Sequence, residues 1–254
     1  MSKELLLLGG SFMAPFIDYL KTNESMKNSS PYPIKAVACS DLDFCASVRL
    51  SPQGDIDCRG HAFLSRSCRE AYGGDIIPFN PGRLICLGIG GWHHAVDDPI
   101  WKNHYPADLS PDWDQTTPLA INETVDRILP EIQLRVETAR RFAETQNSFF
   151  VILVPPMIFR NAALASGIPP RTARYVNSLC VILFKRALER LGVNYLDGPG
   201  LGFDPNSFFK PEYFHKADDG HANAAYTASY WQSITEFLDR NKWQPDVFRK
   251  REAA

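Results

Sequence analysis

The chain has 254 residues, 44% of them apolar, with 27 Lys and Arg against 29 Asp and Glu and a formal net charge of -2. This is enough apolar content for one large core, so a single domain over residues 1–254 is expected. The near balance of charge leaves no surplus of cations to neutralise phosphates, which argues against nucleic acid or an anionic membrane surface as partners.

A first apolar strand is predicted over Glu4 to Leu8, running into Gly9, Gly10 and Ser11. Phe12 to Leu20 then follows with helical spacing. A second strand is predicted at Ile34 to Cys39, and the stretch from Asp41 to Pro81 has weak periodicity. The third strand, Leu84 to Ile89, leads into an irregular stretch from Trp92 to Pro118 that carries Trp92, Trp101 and Trp113. Long connections of this kind usually serve function, so both stretches are expected to wall or lid a site.

The predicted helix from Asn122 to Thr145 places Val125, Ile128, Leu129, Ile132, Val136, Ala139 and Phe142 on one face, while Glu131, Arg135, Glu137 and Arg140 fall elsewhere. Pro130 is expected to kink or interrupt it. Strands at Phe149 to Val154 and Val193 to Leu196 and helices at Ala173 to Leu191 and Ala222 to Asn241 complete the pattern. None of the strands alternates polar with apolar, so each reads as buried on both faces. The fold class is α/β: a three-layer α/β/α arrangement around a flavodoxin-like, five-stranded parallel sheet, with ligands beyond the carboxyl ends of the strands.

Six cysteines, Cys39, Cys45, Cys58, Cys68, Cys86 and Cys180, show no CxxC pair and no metal-ligand spacing, which favours reduced thiols, although the spacing of the first four permits disulfides. No apolar run reaches the roughly 18 residues of a membrane span, and Leu5 to Leu8 is shorter than a signal-peptide core of about 7 to 15. A cytoplasmic protein is expected.

Two segments carry chemistry. Ser11 sits where a strand turns through glycines into a helix, a position suited to a nucleophile whose own N–H faces an oxyanion; it is equally a position for a helix cap. Near the other end, Asp218-Asp219-Gly220-His221 presents an imidazole with a carboxylate three residues earlier, close enough to curl back and orient it. Together they supply a nucleophile, a base and an orienting acid. His93 and His94 are adjacent and point apart on a strand end, and no carboxylate spacing completes a ligand set, so neither a metal nor a cofactor is expected. Trp92, Trp101 and Trp113 are candidates for an aromatic wall against a substrate.

These residues carry a resemblance to the SGNH, or GDSL-like, hydrolase family that covers nearly the whole chain. Gly9-Gly10-Ser11 is similar to the family's nucleophile block, Asp218 with His221 to its Asp-x-x-His block, and His221-Ala222-Asn223-Ala224-Ala225-Tyr226 to a variant seen in many members. Val151 to Pro156 and Gly192 to Asp197 resemble the fourth and fifth strands. The resemblance implies a serine hydrolase acting on a carboxylic ester of a small molecule or carbohydrate: Ser11 as nucleophile, His221 as base and Asp218, in preference to Asp219, as the orienting acid. It also implies an oxyanion hole built from the Ser11 N–H and further donors.

Here the chain departs from the family, because no asparagine follows the third strand. Gly90, Gly91, Trp92 or His93 is left to donate instead, and Gly60, Gly73 or Gly74 to stand for the family's second-block glycine. Trp92, His94 and Trp101 are the expected substrate contacts. An acyltransferase with the same acyl-serine, using the aromatic stretch as a dry acceptor pocket, is the alternative, and a non-catalytic binding module is a third reading.

Overall fold

Four consecutive leucines, Leu5 to Leu8, are completely buried at the centre of the molecule. They belong to β1 (Glu4–Gly9), which pairs in parallel with β2 (Ile34–Ala38) on one side and β3 (Arg83–Gly88) on the other. Next to β3 lies β4 (Phe149–Ile152), and β5 (Tyr195–Leu196) closes that edge, giving the order β5-β4-β3-β1-β2. The account rests on a computed structural model that describes residues 3–24, 28, 30–39, 41–89, 92–111, 115–146, 148–153, 167–198, 210–213, 223–242, 244 and 248. The five predicted strands are all present, with ends shifted by one or two residues.

Successive side chains on a strand point to opposite faces, so the leucine run serves two cores at once. Leu5 and Leu7 pack with α1 (Ala14–Thr22) and α7 (Ala224–Arg240), whereas Leu6 and Leu8 pack with the helices of the other face. Those are α2 (Asp41–Ser47), α3 (Ala62–Tyr72), α4 (His93–Val96), α5 (Ile121–Thr145) and α6 (Pro170–Arg190). This double covering is why the strands read as unbroken apolar runs.

Several expectations are corrected. The stretch from Asp41 to Pro81 is not a lid: it forms α2, α3 and a small antiparallel sheet of Arg49–Leu50, Ile56–Asp57 and Ile76–Ile77. Its buried Phe44, Leu64 and Cys68 belong to the core, and α3 packs on β2 as the cover for that end of the sheet. The stretch after Trp92 holds α4, a 3-10 turn at Pro99–Lys102 and a parallel pair of short strands, His104–Pro106 with Thr117–Leu119. Helix α5 runs through Pro130 without interruption. A proline costs one helical hydrogen bond, and the apolar stripe of Ile128, Ile132, Ala139 and Phe142, buried on the sheet, holds the helix together across it.

Arg135 is a further correction. Its charge places it apart from the apolar face of α5, yet it is only 1% exposed. Its number falls three after Ile132 and four before Ala139, so its position lies in the buried stripe and only its chemistry suggested otherwise.

All six cysteines are free and buried. Cys58 and Cys68 are neighbours, and the hydrogen bond between them, together with burial, pushes the Cys58 thiol far above its ordinary range. Among the described residues no helix is long and apolar enough to cross a membrane.

Candidate active site at the carboxyl end of the central strand

In an open parallel sheet, ligands bind where the strand order reverses, beyond the carboxyl ends. Here that point lies between β1 and β3, because the chain goes from β1 outward to β2 and then returns to β1's other side. Ser11 stands there. The first residues after β1 do not enter an α-helix directly, as expected from Phe12 onward, but form one 3-10 turn, Ser11–Met13. Gly10 precedes it in an extended conformation, and Met13 N–H closes the turn on the Gly10 carbonyl at 2.9 Å.

The turn is seated by backbone packing that only glycine permits. Gly10 N–H donates to the Gly88 carbonyl at 3.0 Å, which extends the β1–β3 ladder past Gly9. A Cβ on Gly9 would lie 2.1 Å from that same carbonyl oxygen, and a Cβ on Gly88 would lie 2.5 Å from Met13 Sδ. The two strand ends therefore touch backbone to backbone, directly beneath the serine. Ser11 itself is half-buried, and its hydroxyl has no hydrogen-bond partner among the described residues. As the first residue of a helical turn, its N–H is also one of those the turn cannot satisfy.

The last helix begins on the same side. Asn223 caps α7: its Oδ1 accepts from the Ala225 and Tyr226 N–H groups at 3.1 and 3.2 Å, and its Nδ2 donates to the Glu212 carbonyl at 2.6 Å. Two turns on, Tyr230 meets the rings of Phe12 and Phe16 edge-on at 5.0 and 5.9 Å, and its hydroxyl donates to the Leu153 carbonyl at 2.8 Å, just past the end of β4. Tyr226 packs beside it, 6.1 Å away, and burial drives both phenols well above their ordinary range. Tyr230→Phe should leave the buried Leu153 carbonyl unpaired at a cost of about 1–3 kcal/mol. A thermal melt followed by circular dichroism is expected to drop by several degrees; an unchanged midpoint would contradict the bond.

Asp218, Asp219 and His221 lie outside the described residues, as do Gly90, Gly91 and Trp113. The backbone of His93 and His94 forms the start of α4. Trp92 and Trp101 correct the expected aromatic wall. Trp101 is fully buried and donates its indole N–H to the Ala95 carbonyl at 2.7 Å. Trp92 is 4% exposed, meets Phe184 edge-on at 5.4 Å and lies 4.8 Å below the Arg135 guanidinium. Both indoles pack in the core. Gly73 is excluded as an oxyanion donor: it is the left-handed cap of α3, and its N–H is spent on the Arg69 carbonyl at 2.8 Å. Its neighbour Tyr72 donates to Glu4, the first residue of β1, so Gly73 and Gly74 follow a helix end at the sheet's opposite edge. Gly60 packs its Cα against the Ser47 carbonyl.

One group that sequence reasoning missed surrounds the loop after β3. Glu131, on α5, accepts the Ala95 N–H at 2.5 Å and is paired with Arg135 at 3.1 Å. The only signal for it in the sequence is the stripe position of Arg135. Among the described residues no group of three His, Cys, Asp or Glu is placed to hold a metal.

Fold and site together define an α/β/α protein with a serine-bearing glycine turn at the switch point of a parallel sheet. No family model and no curated protein matches the chain. Among solved structures it is similar to a protein from Bacteroides fragilis provisionally described as an acylhydrolase, at 11% identity and a TM-score of 0.43, over 94% of this chain and 88% of that one. It is also similar to a GDSL-like lipase from Bacteroides thetaiotaomicron, at 11% identity and a TM-score of 0.44, over 94% and 89% of the two chains.

Proposed function

We propose that this chain is an SGNH-type serine hydrolase that cleaves the carboxylic ester of a small molecule or carbohydrate through an acyl-serine intermediate. The observation that carries the reading is Ser11 on its 3-10 turn at the β1/β3 switch point, half-buried and with no hydrogen-bond partner among the described residues. The capped start of α7 supports it, since Asn223 follows His221 by two residues and two residues span at most about 7 Å.

In this mechanism Ser11 Oγ attacks the acyl carbonyl while His221 takes its proton, and Asp218 holds the imidazole tautomer and stabilises its charged form. The oxyanion rests on the Ser11 N–H and on a backbone N–H from the Gly90 to His93 segment. His221 then protonates the leaving alcohol, and water attacks the acyl-serine to release the acid. The transfer alternative leans on an aromatic acceptor pocket, and two of its three indoles, Trp92 and Trp101, are packed in the core. Six buried free thiols favour a reducing, cytoplasmic setting for the protein.

A fluorophosphonate probe tests the reading. Wild-type protein should be labelled once, at Ser11, and a protein that resists labelling while folded is not this kind of enzyme. Asp218→Asn should slow labelling by about 10⁴-fold, as loss of the orienting acid does in comparable triads, and Asp219→Asn by far less; the reverse order would reassign the acid.

A further inference from the structure

The loop after β3 is fastened from every side. Ala95, in its four-residue helix, has its carbonyl held by the Trp101 indole at 2.7 Å and its N–H held by Glu131 at 2.5 Å. The Trp92 carbonyl accepts from Val96 N–H at 2.9 Å, and the Trp92 ring is pinned between Phe184 and the Arg135 guanidinium. Glu131 is in turn fixed by Arg135, whose Nη2 lies 3.1 Å from its carboxylate and whose Nη1 donates to the Glu131 carbonyl at 3.0 Å. The side chains of this pair are 9% and 1% exposed.

A buried ion pair is a poor device for stability. Two apolar side chains of similar volume usually serve as well or better, because neither has to be stripped of water. What apolar residues cannot do is accept a specific backbone N–H from a loop. The loop in question leaves β3 directly after Gly88, whose carbonyl accepts the Gly10 N–H beside Ser11.

We propose that Glu131 is a positioning residue for the reaction, with Arg135 as the counter-charge that holds it. Through the Ala95 N–H it sets the location of the Trp92–His93 backbone, and so of the N–H that receives the oxyanion. The inference rests on the hydrolase reading above. It explains how the chain manages without the asparagine that the resemblance leads one to expect: rigidity of a backbone donor takes the place of a side-chain donor. A displacement of about 1 Å in such a group is enough to lower a rate about 10²-fold.

Two double variants separate the hydrogen bond from the buried charge. E131Q/R135M removes both charges and keeps an amide oxygen for the Ala95 N–H; E131L/R135M removes the charges and the acceptor. With p-nitrophenyl acetate, kcat of the Gln form should stay within about fivefold of wild type, while kcat of the Leu form should fall about 10²-fold with KM changed by less than about threefold. Hydrogen exchange at the Ala95 amide should accelerate only in the Leu form. Equal kcat in the two forms overturns the proposal. Should the Leu form fail to melt cooperatively, E131M/R135L, a second pair that removes the charges and the acceptor, takes its place: a kcat about 10²-fold below the Gln form supports the role and a kcat equal to it overturns the role. A folded wild-type protein that neither turns over the ester nor takes the fluorophosphonate refutes the hydrolase reading, and this role with it. An active wild type with two equally active variants refutes this role only.

Discussion

Ser11→Ala is expected to lower kcat for p-nitrophenyl acetate by on the order of 10⁶-fold, as loss of the nucleophile does in comparable triads. Stability should be almost untouched. Ser11 is half-buried and its hydroxyl is unbonded among the described residues, so its removal leaves no described group without a partner. Steady-state rates and a thermal melt on the same sample separate chemistry from folding. A variant that still turns over the ester with burst kinetics would mean that the nucleophile is elsewhere.

Gly9→Ala should do the opposite and strike folding first. The added methyl would stand 2.1 Å from the Gly88 carbonyl oxygen, and the obstacle is backbone, not the tip of a flexible side chain. β1 cannot move aside, because β2 and β3 grip it from both edges. Overpacking at such a place costs about 3 kcal/mol or more, and the melting midpoint should fall by roughly 6–12 °C. Gly74→Ala is the control, since a Cβ there meets nothing within 4 Å, and it should change stability by no more than about 0.5 kcal/mol. Equal midpoints for the two variants would contradict the close contact of the strand ends.

The strands and long helices were legible because their signal is local. A run such as Leu5 to Leu8 announces a doubly covered strand by itself, and the repeat of Ile128, Ile132, Ala139 and Phe142 announces a helix face. Ser11 was legible for the same reason: strand, glycines and serine are contiguous. What escaped the sequence depends on partners far along the chain. Gly9 and Gly88 are 79 positions apart, and nothing in either segment says that they touch. Trp101 looked like a substrate wall because indoles suit both walls and cores, and only the Ala95 carbonyl, buried beside it, decides between them. Arg135 was set aside for its charge although its spacing was right. In the stretch from Asp41 to Pro81 the strands are two residues long, too short to show an alternation, whereas α3 does carry a helical repeat, with Leu64, Ser65 and Cys68 buried on one face.

Tyr230 touches Phe12, one residue from Ser11, and at the same time holds the end of β4 by its hydroxyl, from a helix whose first residue follows Asn223. The two arms of the proposed machinery are therefore indexed to one post. The turn bearing Ser11, the end of β4 and α7 are thereby tied through one side chain, so a change that displaces the Tyr230 ring reaches all three at once.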